Sequence, residues 1–342
     1  MSASNLLKLH TPQTTLRSPP PFPSFKTLLS PSHSIPHTQH PHLPLSQKPL
    51  RRLTTSSFPP AQELSSSSYS PPFTKEEAIS QAKTCLSTTL QKPLSNPLPL
   101  PTRKLKKQRQ PRYRVEIPVL DESSDSVTQL AFDFFSDFPV VTKKGCKPKI
   151  LILWSTPKLA EFAQRAFNSA DSVINSDLGS VTSEVLSSGD LAVFLAPEAS
   201  QVEEIKTVTN GLNPKPVVLF NPRWGFEEEK DFHGGMGSFL GSFDVVYSFM
   251  GLEVKGVLSK RRGVVFKCVR DGVLSGEGWA VMVEEEGKRG ELKVVSRFRR
   301  RPSIGEVESV LYNLMAANSL VTKSVKFLRD LASNVTGKKA RQ

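Results

Sequence analysis

Residues 1–62 contain no aspartate or glutamate. They hold six basic residues, Lys8, Arg17, Lys26, Lys48, Arg51 and Arg52, together with 12 of the 28 prolines and many Ser and Thr. So little apolar content among so much proline cannot offset the entropy of ordering the chain. A disordered segment is therefore expected. Basic, Ser-rich and acid-free, it has the composition of an organelle transit peptide, and the start Met1-Ser2-Ala3-Ser4 favours a plastid. Its removal would lower the formal charge from +13 to +7. The mature chain is then basic, though less so than the whole, which weakens a nucleic-acid reading.

Histidine is almost lacking elsewhere. Five of six, His10, His33, His37, His40 and His42, fall in that segment, leaving His233. A metal site built on several histidines is excluded, and any Ser–His or Cys–His chemistry would depend on this one residue. The three cysteines, Cys85, Cys146 and Cys268, lie far apart with no C-x-x-C spacing. That argues against a zinc site and a disulfide framework, and predicts buried or half-buried thiols. No apolar run approaches the ~20 residues a spanning helix needs. Neither G-x-x-x-x-G-K-S/T nor a G-x-G-x-x-G between strand and helix is present, so no nucleotide grip is recognisable. No catalytic residue, cofactor or metal ligand can be assigned.

What is present reads as one domain over residues 73–335, after a linker at 63–72. Thr74 and Glu77 form a capping box, followed by Ile79, Ala82, Leu86 and Leu90 at helical spacing. Prolines and the basic run Arg103, Lys104, Lys106, Lys107 and Arg109 predict an exposed loop over 91–111. Then come a strand at Tyr113–Val119, a helix at Ser126–Phe138, a strand at Lys149–Trp154, and a helix opened by Ser155-Thr156-Pro157. Strands at Asp190–Leu195 and Pro216–Phe220 flank a helix carrying Val202, Ile205 and Val208. Apolar runs between amphipathic helices mean parallel strands buried on both faces. The fold class is α/β: a three-layer, doubly wound, mostly parallel sheet.

After Phe239 the pattern changes to strands separated by glycine turns: Asp244–Met250, Val254–Leu258, Val264–Val269, Trp279–Glu284 and Leu292–Phe298. They extend the sheet in antiparallel sense. Helices end the chain. Ser303 and Glu306 cap the first, and Val321, Val325, Leu328 and Leu331 stripe a second. The basic tail at 336–342 is expected to fray.

Ligands of such sheets bind beyond the carboxyl ends of the strands. Those ends offer Ser155 and Thr156, then Asn221, Arg223 and Trp224. Arg223 could pair a carboxylate or phosphate and Trp224 could stack on a partner. The plainer reading is a turn in which Trp224 covers the sheet end and Arg223 pairs a local acid such as Glu227. The run His233–Ser238 lies in the wrong context for a phosphate cradle and reads as a surface loop. Along a strand, Arg297, Arg299 and Arg301 share one face. With Arg261 and Arg262 in a nearby turn they could form a basic patch for RNA, an anionic membrane or an acidic protein, or simply guard an edge strand.

Five short motifs, in order, carry a resemblance: Val115-Glu116-Ile117-Pro118, Phe220-Asn221-Pro222-Arg223-Trp224, Ser242-Phe243-Asp244-Val245-Val246-Tyr247, Gly278-Trp279 and Arg301-Pro302-Ser303. In that order the chain resembles a plastid and cyanobacterial domain of unknown function. That domain occurs in the low-photosystem-II-accumulation assembly proteins and fused to a plastid adenylate kinase. The resemblance implies a plastid protein with an α/β domain and brings no catalytic residues. The expected function is thus a non-enzymatic plastid auxiliary protein in the stroma or peripheral to the thylakoid, aiding photosystem assembly or maintenance by protein interaction. The alternatives are a nucleotide- or phosphometabolite-binding enzyme or regulator, and a plastid RNA-binding protein.

Overall fold

A computed structural model describes residues 70–95, 109–119, 123–142, 145–255, 260–274, 278–285 and 290–317. The expected transit peptide, the second C-terminal helical stripe and the basic tail lie outside them. The first helix, α1 (Lys75–Ser95), starts as expected: Thr74 Oγ1 accepts from the Glu77 amide at 3.1 Å, while the Glu77 carboxylate accepts from the Phe73 amide at 2.9 Å. It runs on through Gln91–Ser95, with Pro93 inside its last turn, so this part of the predicted loop is helical; 96–108 lie outside the described residues. Gln110, also placed in that loop, is buried, and its amide donates to the carbonyls of Thr209 and Lys215, each at 3.0 Å.

The parallel part contains β1 (Arg112–Glu116), α2 (Ser124–Phe135), β2 (Ile150–Trp154), α3 (Pro157–Ala166), β3 (Val173–Asp177), α4 (Ser183–Ser188), β4 (Leu191–Leu195), α5 (Val202–Leu212) and β5 (Val217–Phe220). A short α6 (Met236–Leu240) leads into β6 (Asp244–Lys255), then β7 (Lys260–Cys268), β8 (Trp279–Glu284), β9 (Leu292–Phe298) and α7 (Ile304–Ala317). The nine described strands form one sheet in the order β3-β2-β4-β5-β1-β6-β7-β8-β9, parallel as far as β6 and antiparallel beyond it. The α/β class and the antiparallel extension are as the residue pattern predicts.

Three features differ from that pattern. The strand β3 and helix α4 are unforeseen, because Val173–Asp177 is a half-buried edge strand with two apolar residues. Among the described residues four strands, not five, follow Phe239. Asp244–Met250 and the start of the next predicted strand are one strand, with Gly251 paired to Val264 where a turn was expected. Arg261 and Arg262 likewise belong to β7 and pair with Val254 and Glu253, so they do not sit in a turn.

Both faces of the parallel sheet are covered, which is why its strands read as unbroken apolar runs. On one face, α5 seats Val202, Ile205, Val208 and Leu212 against Leu151, Phe194, Val217 and Leu219, joined by Phe239 and Leu240 of α6. On the other, Phe134 and Phe135 of α2 meet the Phe220 ring at centroid distances of 4.9 and 5.4 Å. In the antiparallel part, Val307 and Leu311 of α7 pack on Val265, Trp279, Val281 and Val283. The predicted cap of α7 is present: Ser303 Oγ accepts from the Glu306 amide at 3.3 Å, and Glu306 accepts from the Ser303 amide at 2.8 Å. No helix of the described residues is long and apolar enough to cross a membrane.

Candidate functional site at the strand ends

β1 and β5 are neighbours, yet their outgoing connections pass to opposite faces: β1 leads to α2 and β5 to α6. Such a divergence leaves a crevice at the carboxyl ends of the strands. Here it is a cavity of about 640 Å³, within the usual range for small-molecule sites. Its walls come from the ends of β4, β5 and β1, from the middle of β6, from α2, from the segment after β5, and from Arg301. Apolar groups predominate, including Ile117, Leu130, Leu195, Phe249 and Met250.

Two wall residues hold left-handed backbone without being glycine: Ala196 at φ 44° and Asn221 at φ 46°. Such conformations cost free energy and persist where the surroundings enforce them. For Asn221 the enforcing contacts are clear. Its Oδ1 accepts from the Ile117 amide at 2.7 Å and its Nδ2 donates to the Ile117 carbonyl at 3.0 Å. The side chain thus continues the β5–β1 ladder past the end of β5. Asn221 is a clasp holding the cavity wall, and both ends of its amide are engaged.

Beneath the wall lies a buried ion network. Arg114 of β1 is 3% exposed; it pairs with Glu229 and sets its Nε 2.6 Å from Glu116 Oε1. Arg301 donates to the same Glu116 oxygen at 2.9 Å, and the Ser248 hydroxyl donates to the other at 2.5 Å. The Arg301 guanidinium also lies over Phe226, 4.4 Å from the ring centroid, and over Trp279 at 5.1 Å. Burial pushes the Glu116 carboxyl up, but Arg114, Arg301 and the Ser248 hydroxyl outweigh burial and hold it at about 2. For Arg114 burial works against the charge, and Glu116 and Glu229 more than restore it, so its pKa is raised.

Against this frame the predicted site residues separate. Asn221, Arg223 and Trp224 do line one cavity. Trp224 is buried in the core and donates its Nε1–H to Glu229 at 3.1 Å, so it covers the sheet end. Arg223 is exposed and lies 3.6 Å from Glu198, not beside Glu227; Glu227 is engaged by Lys230 and by the Ile304 amide. Ser155 and Thr156 end β2, two strands from β5, and are not in the cavity wall. Thr156 caps α3 through the Leu159 amide at 3.4 Å, while the buried Ser155 hydroxyl has no hydrogen-bond partner among the described residues.

The basic patch is also divided. Arg299 and Arg301 lie beyond the end of β9, so the strand geometry that would align them with Arg297 does not apply. Arg301 turns inward to Glu116 and leaves any surface patch. Arg297 faces Ala280, which faces Phe266, four residues along β7 from Arg262. The Arg114–Glu116–Glu229–Arg301 network escaped the sequence reading. Its signal was faint: Arg114 and Glu116 fall, with Arg112, on the charged positions of the alternating run Arg-Tyr-Arg-Val-Glu, a pattern that reads as a solvated face. His233 is exposed, and among the described residues no group of three or more His, Cys, Asp or Glu could hold a metal ion.

Fold and cavity together define a doubly wound α/β protein with a crevice at a switch point. Residues 72–309 match the family described as domain of unknown function DUF1995, and the chain belongs to that family. No curated protein matches it at a significant level.

Proposed function

We propose that the chain is a non-enzymatic plastid auxiliary protein, at the stroma–thylakoid boundary, that aids photosystem assembly or maintenance by binding at this crevice. One observation carries the choice of binding over catalysis. Glu116, the acid held in the ion network at the cavity, has both oxygens engaged and a pKa near 2. At neutral pH it carries no proton to give and is a weak base, whereas acid–base catalysis needs a group poised near the working pH. The apolar lining suits an apolar or amphipathic group of a partner. Phosphates would need cations to meet them; of the two arginines in the wall, Arg301 is already offset by Glu116 and Arg223 lies 3.6 Å from Glu198. The plastid assignment is supported by the acid-free N-terminal composition, and the photosystem assignment by the order of the five motifs.

The test is affinity capture of the tagged full chain from plastids, alongside Val119→Trp, which narrows the cavity from a wall position outside the ion network. Photosystem proteins should copurify with the native chain and be lost with the variant. Recovery of the chain outside plastids would overturn the compartment, and identical partners with Val119→Trp would overturn the crevice as the binding site.

A further inference from the structure

Cys85 and Cys268 are 183 positions apart, yet their Sγ atoms lie 3.1 Å from each other in the interior. Cys85 is on the buried face of α1 with Ala82 and Leu86, and Cys268 ends β7 opposite Tyr247. The backbone enforces this approach. Just past β7, Gly272 lies so close to α1 that a Cβ there would stand 2.8 Å from the Thr88 carbonyl oxygen. Two thiols held side chain to side chain by packed elements are arranged for bonding, since what limits such a bond is bringing both sulfurs together.

We propose that Cys85 and Cys268 form a reversible disulfide, by exchange with a small-molecule or protein disulfide, which ties α1 to the antiparallel half of the sheet. The thiolate of one cysteine attacks the external disulfide and expels one external thiolate. The second cysteine's thiolate then attacks the protein-bound sulfur and expels the other. Two electrons and two protons leave the cysteines; the external disulfide becomes two thiols, and one S–S bond joins α1 to β7.

In the closed structure the pair is protected. The contact with Cys268, and then burial, push the Cys85 thiol far above its ordinary value, with the nearby Arg270 opposing them. Exchange therefore requires α1 to open locally. The turn that carries Cys85 is suited to this. Thr84, Thr88 and Thr89 each donate a hydroxyl to the carbonyl four residues back, at 2.9, 2.9 and 2.7 Å, a contact that slightly destabilises a helix. Cys146 is exposed and stands apart from the pair.

The full chain carrying Cys146→Ser, equilibrated in a glutathione redox buffer and acid-quenched, gives the test. Native protein should yield linked peptides bearing Cys85 and Cys268. The thiol–disulfide equilibrium constant should exceed that of the urea-unfolded chain by on the order of 100-fold. Oxidation should raise the thermal midpoint by roughly 10 °C. Adding Cys268→Ala should abolish both the linked peptide and the shift. A native constant no larger than the unfolded one, glutathione adducts without a link, two thiols that stay free, or a shift that persists in Cys268→Ala would each overturn the proposal.

Discussion

Phe220 and Arg223 stand three residues apart and belong to different energetic worlds. Phe220 is 1% exposed between the rings of Phe134 and Phe135. Truncation to alanine should cost about 3–5 kcal/mol, read as a lower midpoint in chemical unfolding. Arg223 is on the surface, and its pair with Glu198 is a solvated one. Arg223→Ala should change stability by less than about 1 kcal/mol; a loss as large as that of Phe220→Ala would make it a structural clasp. Phe220 was legible because Val217–Phe220 is an unbroken apolar run. That Trp224 covers the sheet end was legible as the plainer reading of the turn; its partner Glu229 was not, because it sits in a run of acids that reads as solvated. Glu116 adds a pH dependence. Its folded pKa, about 2, lies below the ordinary 4.5, so the native state binds its proton less readily than the unfolded chain. The resulting stability is fully present above about pH 5 and is lost as pH falls toward 2. Its size is on the order of 3 kcal/mol. In acid titrations of stability, Glu116→Gln should flatten this part of the curve; an unchanged slope would assign the dependence elsewhere.

At the scale of elements, the strand that comes first in the chain sits in the middle of the sheet. No local pattern announces this. The run Arg-Tyr-Arg-Val-Glu has the alternation of a half-exposed strand, and its charges are buried because β5 and β6 close on either side of it. Periodicity reports which residues want burial; it is silent about charges that satisfy one another across elements distant in sequence. The same limit hid β3, whose two apolar residues make too short a signal at a sheet edge. The elements with unbroken apolar runs, β2, β4 and β5, and the capped helices α1, α3 and α7 were all legible. The glycine run before β6 is packed more tightly than the surface loop its composition predicts. A Cβ on Gly237 in α6 would stand 2.6 Å from the Glu229 carbonyl oxygen. Gly237→Ala should therefore displace the Glu227–Lys230 turn and loosen Glu229 from Arg114 and Trp224. The expected loss is about 1–3 kcal/mol, with a change in Trp224 fluorescence. Native stability and an unaltered emission spectrum would mean that the turn has room to move.

Across the whole molecule, the question is how the excess positive charge is distributed. Arg297 and Arg262 are four residues apart along the strand direction and two strands apart across the sheet. Those spacings put them roughly 15 Å from each other, beyond the ~8 Å over which exposed charges act at physiological salt. The two basic ends of the antiparallel half therefore act independently. Arg301 contributes to neither, since its charge is met inside by Glu116. Three arginines close in sequence thus predict two different outcomes. Arg297→Gln with Arg299→Gln should leave the thermal midpoint unchanged, because both are exposed. It should also weaken binding of the full chain to vesicles containing anionic lipid by roughly thirty-fold, at about 1 kcal/mol for each charge near the surface. Arg301→Gln should do the reverse: it leaves Glu116 facing Arg114 alone and strips the cation from Phe226 and Trp279, lowering stability by about 3–5 kcal/mol with little direct effect on vesicle affinity. Vesicle sedimentation and thermal unfolding of both variants separate the cases. If Arg301→Gln is as stable as the native chain and loses lipid binding, the arginine faces outward in solution and the buried network is wrong. If the double variant binds vesicles undiminished, the charges at the end of β9 serve to keep the sheet edge from pairing with another chain.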